Sequence, residues 1–269
     1  ADVTAETSLT ISNINTELDV GTNVDLTAEA GSVDINNTVT LIDLSGTGTT
    51  IVKADGGSVE LAAISDSGNV VELQIDSDQN VTLDTVDLSD LTGVLLDVNL
   101  DYNNDTADAQ MTANAVSVGV ITINGGTDDN DDVSFSTTLD STDGAIAIED
   151  VDVLDLDGDV TAATSLTMTD INTRIDIGDN VNLTTTNGAV SLDVDVAAIL
   201  LSGADATTTI IDGNGDADVE LANITATNNV NLTINSEGDI DTGTIGINTG
   251  DLTAQVDNDS LTDGAANIH

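Results

Sequence analysis

Aspartate and asparagine at alternate positions are the residues of this chain best placed to do chemistry, and that chemistry is the coordination of a hard cation. Asp212, Asn214, Asp216 and Asp218 fall in the run Asp-Gly-Asn-Gly-Asp-Ala-Asp-Val-Glu, residues 212–220. Asp155, Asp157 and Asp159 repeat the spacing, as do Asp101, Asn103 and Asp105. Oxygen donors at i, i+2 and i+4 of a turn can converge on an ion that takes about six to eight oxygen ligands, so calcium is the expected cofactor. The 212–220 run is only half of an EF-hand loop. Ala217 stands where the loop needs its glycine, and Asn223 where it needs its bidentate glutamate. Residues 128–132 and 257–259 are dense in acid but less patterned. The competing explanation is that Asp and Asn are good turn residues in a chain full of Asp.

Other chemistry is poorly provided for. Cysteine is absent and the single histidine is His269, so neither a thiolate centre nor an internal histidine base is available. No glycine-rich phosphate loop occurs. A lyase acting on acidic sugars needs cationic groups at the developing charge, and Lys53 and Arg174 are the only two bases. A carboxylate pair for glycoside hydrolysis is unreadable among 50 acids. A chain without catalysis is therefore expected, with a carbohydrate-active β-helix as an alternative.

The formal charge of −48 excludes two classes of partner. Nucleic acid and anionic membrane surfaces both need basic side chains facing them. No apolar run approaches the ~18 residues of a membrane span. The same charge attracts cations and repels itself, which destabilises a compact state unless counterions offset it.

The elements that must carry these turns are strands. Apolar and polar residues alternate in short runs, among them 23–27, 32–35, 58–61, 80–83, 116–123, 151–156 and 230–234, separated by Gly, Asn, Asp and Ser. Valine, isoleucine and threonine suit a pleated surface, and the 39% apolar content argues against a disordered acidic chain.

The chain also repeats itself. Residues 158–192 copy residues 1–35 without a gap, at an offset of 157, and GSVELAAI at 57–64 returns as ADVELANI at 217–224. The repeat divides the chain into a first copy, 1–157, and a second, shortened copy, 158–269, continuous in one rod. The pattern at the end of the second copy points to a window on a longer polypeptide. Proline is absent and Tyr102 and Phe135 are the only aromatics. A thick sandwich or barrel core would need larger rings, whereas a narrow solenoid is filled by stacked Val, Ile, Leu and Ala. The expected fold is all-β, a right-handed parallel β-helix (β-solenoid). About 20 to 25 residues per coil would give six to eight coils per copy and a rod of roughly 55 to 65 Å.

Runs such as NVDLTAEAGSVDI (23–35) and NVNLTTTNGAVSL (180–192) resemble the rod repeats of filamentous-haemagglutinin-like adhesins and related giant repetitive bacterial surface proteins. The resemblance implies a right-handed parallel β-helix projecting from a cell. The expected function is a structural, cation-stabilised segment of an extracellular surface fibre or adhesin. Its partners would be itself, end to end or laterally, and surface glycans, with no nucleic acid and no membrane insertion. A self-assembling filament or sheath subunit that polymerises through the solenoid ends is the first alternative. Thr184–Thr186, Thr207–Thr209 and Thr242–Thr244 could align as a threonine ladder, and Asn-x-Ser/Thr triplets occur at about the frequency chance allows.

Overall fold

The computed structural model describes residues 2–36, 38–102, 108–126, 130–204, 208–214, 217–247 and 250–256. Among them the regular structure is all strand, and every strand-to-strand ladder is parallel. The chain winds as a β-solenoid of about ten turns. Each turn contributes one stretch of strand to each of three faces. On the first face, Val3–Ala5 pairs with Asp25–Ala28, which pairs with Thr47–Ala54. The second face starts with Leu9–Thr10 on Val33–Ile35, and the third with Leu18–Val20 on Ile42–Leu44. The same order continues to Ile240–Thr242, Ile245–Gly246 and Leu252–Val256.

Successive coils are 20 residues apart where the corners are tightest, as from Ile146 to Leu166, and 30 from Val81 to Met111. Ten steps of ~4.8 Å make a rod of about 48 Å. This is shorter than the length expected from sequence, because some coils take more residues than the 20 to 25 assumed.

The in-and-out alternation places every second residue in one continuous core. Residues of like size stack in register: Val33 on Val59 on Val81, and Leu154 on Ile175 on Ile199. Such stacking excludes water along the whole axis without large rings. The one aromatic in the core, Phe135, is accommodated because its neighbour in the stack is Ala113. Small and large residues on successive levels fill one layer between them.

The two sequence copies do not sit on the same faces. Val3–Ala5 lies on the first face, while its copy Val160–Ala162 lies on the third. Val33–Ile35 and Val59–Leu61 lie on the second face, and their copies Val190–Leu192 and Val219–Leu221 on the first. The offset of 157 residues is thus six coils and two faces, so the second copy is turned by one face about the axis. This is possible because each face is built alike, as a short alternating strand closed by a corner. The corners are copied too. Asn13, Asn23 and Thr38 have positive φ, and so do their equivalents Asp170, Asn180 and Asp195. Asn and Asp tolerate the left-handed conformation that turns the chain. Strand pairing crosses the junction between copies without a break, through Val153–Leu156 on Arg174–Ile177 and Ser141 on Ala162.

Candidate functional site

The corners show what a recurring set of the aspartates and asparagines does. A residue at or just before the start of a strand turns its side-chain oxygen toward a neighbouring coil and accepts a backbone N–H there. Asp159 Oδ1 accepts from Asn182 N at 2.8 Å, Asp218 Oδ1 from Asp239 N at 2.8 Å and Asp131 Oδ1 from Ala109 N at 2.7 Å. Asn223 and Asn231 do the same for Thr244 N at 2.8 Å and Asp251 N at 3.0 Å. The side chain supplies an acceptor where the corner carries the backbone carbonyl out of the ladder, and so keeps the N–H satisfied. Serine serves from the inside: Ser141 Oγ donates to Gly119 O at 2.7 Å and Ser236 Oγ to Ala217 O at 2.9 Å. Sequence reasoning missed this role. Its signal was present in the Asp or Asn that precedes Val or Leu at 23, 80, 159, 218 and 231.

The expected cation ligands are placed as follows. Asp155 is an outward, half-buried strand residue, while Asp157 and Asp159 follow on the exposed corner. Asp155 stacks on Asp176 of the next coil, and Asp159 is taken by the backbone of residue 182. Asp212 is the penultimate residue of a strand of the third face, in register with Thr184 and Asn235. Asn214 is turned to the preceding coil, its Nδ2 donating to Thr185 O at 2.6 Å. Asp218 caps the next coil, and Asp216 lies outside the described residues. Asp101 is wholly buried with φ of 44°, and Asn103 and Asp105 lie outside the described residues. Residues 128, 129 and 257–259 also fall outside them. Among the described residues no three His, Cys, Asp or Glu side chains already form a cation-binding group.

What the fold does bring together is like charge stacked in register. Asp19 pairs with Asp43, Asp34 with Glu60, Asp155 with Asp176, and Glu220 with Asp241. Like charges directly opposite one another in a sheet are destabilising. Several half-buried carboxyls are raised, with burial the first cause and neighbouring charge the second. Asp97 is raised above its ordinary value by burial and then by the charges of Glu72 and Asp76, against the bond from Asn99. Asp155 is raised by burial and by Asp157 and Asp176, and Asp150 by burial and by Asp170 and Glu149. Asp66 is raised by burial and by the charge of Asp90, with Asp87 and Asp43 adding to it. Amides relieve some rungs: Asn99 Nδ2 donates to Asp76 Oδ1 at 2.9 Å and Asn124 Nδ2 to Glu149 Oε1 at 3.0 Å.

Both bases are already engaged. Lys53 Nζ lies 3.1 Å from Asp55 Oδ1 and 4.4 Å from the centre of the Tyr102 ring. Arg174 Nε lies 3.5 Å from Asp176 Oδ2. Thr207 lies outside the described residues, and the other two threonine runs do not form one ladder. Thr184 stacks on Thr161 but its other neighbour is Asp212, and Thr242 pairs with Leu221 on a different face. No protein-family model, no curated protein and no solved structure matches this chain.

Proposed function

We propose that this chain is a structural segment of an extracellular surface fibre or adhesin, a rod without catalysis whose carboxylates are neutralised by bound cations. The observation that carries the reading is the stacking of carboxylates in register on a continuous solenoid that has two bases in all. Eight of the 50 acids lie outside the described residues. The remainder, less the two bases, leave about forty net charges on ten coil steps of ~4.8 Å, or roughly one per 1.2 Å of axis. Duplex DNA, with one charge per ~1.7 Å, already condenses counterions. A rod charged more densely than that is stabilised by any cation that binds the folded stack better than the unfolded chain. The texture shared with adhesin rod repeats supports a surface location.

Calcium is the ion this reading favours, because stacked carboxylates and corner carbonyls are hard oxygen donors. Thermal unfolding with millimolar calcium is expected to show a higher midpoint than unfolding with chelator at matched ionic strength. Equal midpoints would remove the specific role of calcium and leave only screening.

Self-assembly through the solenoid ends is the second reading. Among the described residues the strands Val3–Ala5, Leu9–Thr10 and Leu18–Val20 pair on one side only, and Val3, Ile11 and Leu18 line an open hollow of about 260 Å³ beside them. An unpaired edge beside apolar surface is a template for another strand layer. Sedimentation of the chain over a concentration series tests it, and a monomer throughout would count against it.

A further inference from the structure

Asp43 faces outward from the third-face strand Ile42–Leu44, between two core residues, yet just 7% of it is exposed. One of its oxygens, Oδ2, accepts the hydroxyl of Ser67 in the next coil. The other, Oδ1, is buried and has no hydrogen-bond partner among the described residues. A buried carboxylate oxygen left in that state is costly, and native folds supply it with a partner. In the preceding coil Asp19 lies in register with Asp43 and is exposed. Its Oδ1 accepts the hydroxyl of Ser45. Each carboxylate is thus held by one serine and keeps one oxygen free. Other like-charged rungs have a compensating group at hand. Arg174 lies beside Asp176, and Asn36 Nδ2 donates to Glu60. At Asp43 neither base can serve, because Lys53 is on the first face and Arg174 on the second.

We infer that Asp43 and Asp19 bind a calcium ion between their two coils, with Asp43 as the fixed ligand. Paired strands lie ~4.8 Å apart, and two calcium–oxygen bonds of ~2.4 Å placed end to end cover that distance. Two magnesium–oxygen bonds of ~2.1 Å fall short of it. A water molecule at Asp43 Oδ1 would satisfy the hydrogen bond but leave two like charges facing each other. A cation removes both costs at once. The exposed side chain of Asp19 is free to turn onto an ion that the buried Asp43 cannot follow. Asp66, which ends the next strand Ile64–Asp66, is the nearest reserve of a third carboxylate. The charge of Asp43 helps to raise its carboxyl, after burial and the charges of Asp90 and Asp87. Water completes the six to eight ligands that calcium takes. A pair of carboxylates suffices to start, in keeping with the lack of a ready group of three among the described residues.

The inference rests on the cation reading proposed above and deepens it by naming one site, and the two can fail separately. Calcium is titrated into the whole chain at physiological ionic strength and followed by nuclear magnetic resonance at the amides of residues 19, 43, 45, 66 and 67. Saturable shifts are expected there, with Kd of about 10⁻⁴ to 10⁻³ M, the range of extracellular calcium modules. Magnesium should bind more weakly. Asp43→Asn should weaken calcium at these amides at least tenfold (about 1.4 kcal/mol). In chelator the same variant should melt no lower than the parent, because a buried charge without a partner has been removed. In calcium it should melt below the parent. Asp140→Asn is the control: Asp140 lies in the same outward row, but between the hydroxyls of Ser117 and Thr161. It should leave the titration at residues 19–67 unchanged. Should Asp43→Asn not fold, Asp19→Asn, which alters an exposed side chain, is read in its place. Absence of saturable shifts at these residues, equal affinity for magnesium, or undiminished binding by the folded variant would each overturn the inference. Melting that still rises with calcium in those cases leaves the cation-loaded rod standing. Saturable shifts without any rise in melting would leave the site standing and remove the rod's dependence on cations.

Discussion

Acidifying a cation-free, low-salt solution from about pH 8 toward pH 4 is expected to raise the melting temperature of this protein, the reverse of ordinary acid denaturation. Asp66, Asp97, Asp132, Asp140, Asp150, Asp155 and Asp212 all have folded-state pKa values above the usual 3.8, with burial the leading cause in each. In the window above 3.8 the folded chain therefore holds more protons than the unfolded one. Stability falls as pH rises through that window and is recovered as pH falls back to 3.8. These carboxyls remain partly exposed, so solvent screening limits each to a few tenths of a kcal/mol. Together they amount to on the order of 2 kcal/mol, or roughly 5 °C in a chain of this size. The check is a series of thermal melts across pH, with chelator present. Calcium at high pH should flatten the series, because it relieves the same repulsion. A melting temperature that declines steadily with acid would mean that favourable partners, not desolvation and like charge, govern these groups.

A large single-residue effect is expected at a corner. A Cβ placed on Gly158 would lie 1.8 Å from the carbonyl oxygen of Thr137 in the coil before it, and 2.1 Å from its carbon. Both are backbone atoms held by the bonds of Leu139 N to Asp159 O and Thr137 N to Asn114 O. Neither coil can yield without losing part of its ladder. Gly158→Ala should therefore destabilise the protein by about 2 to 3 kcal/mol. Because each coil touches only its neighbours, a defect in mid-rod should also uncouple the two halves. Unfolding followed by circular dichroism and by hydrogen exchange in each half should then cease to coincide. Gly21→Ala is the control. Nothing lies within 4 Å of a Cβ at Gly21, so that variant should stay within about 0.5 kcal/mol of the parent. Equal loss in both variants would show that these corners are set by glycine's backbone freedom and not by the close approach of coils.

The same structure explains why some features were legible in the chain and others were not. Alternation is a local property: in Val81-Thr-Leu or Val219-Glu-Leu the residues that enter the core can be named without any partner. The absence of large rings, the turn residues between strands and the 157-residue copy were enough to indicate a narrow solenoid and its filling. For the acids at 155–159 and 212–218 the sequence shows only their spacing. What each touches depends on a residue some 20 to 30 positions away, such as 182 for Asp159, 239 for Asp218 and 176 for Asp155.

By itself, then, the sequence determined the strand class, the inward residues and the cation-seeking charge, because each follows from composition or from a period of two. Only the tertiary structure decided which face each copy occupies, which carboxylates stack and which cap a coil. Those depend on how many residues each corner takes, from 20 per coil between Ile146 and Leu166 to 30 between Val81 and Met111, and residues that far apart carry no local signal of their pairing.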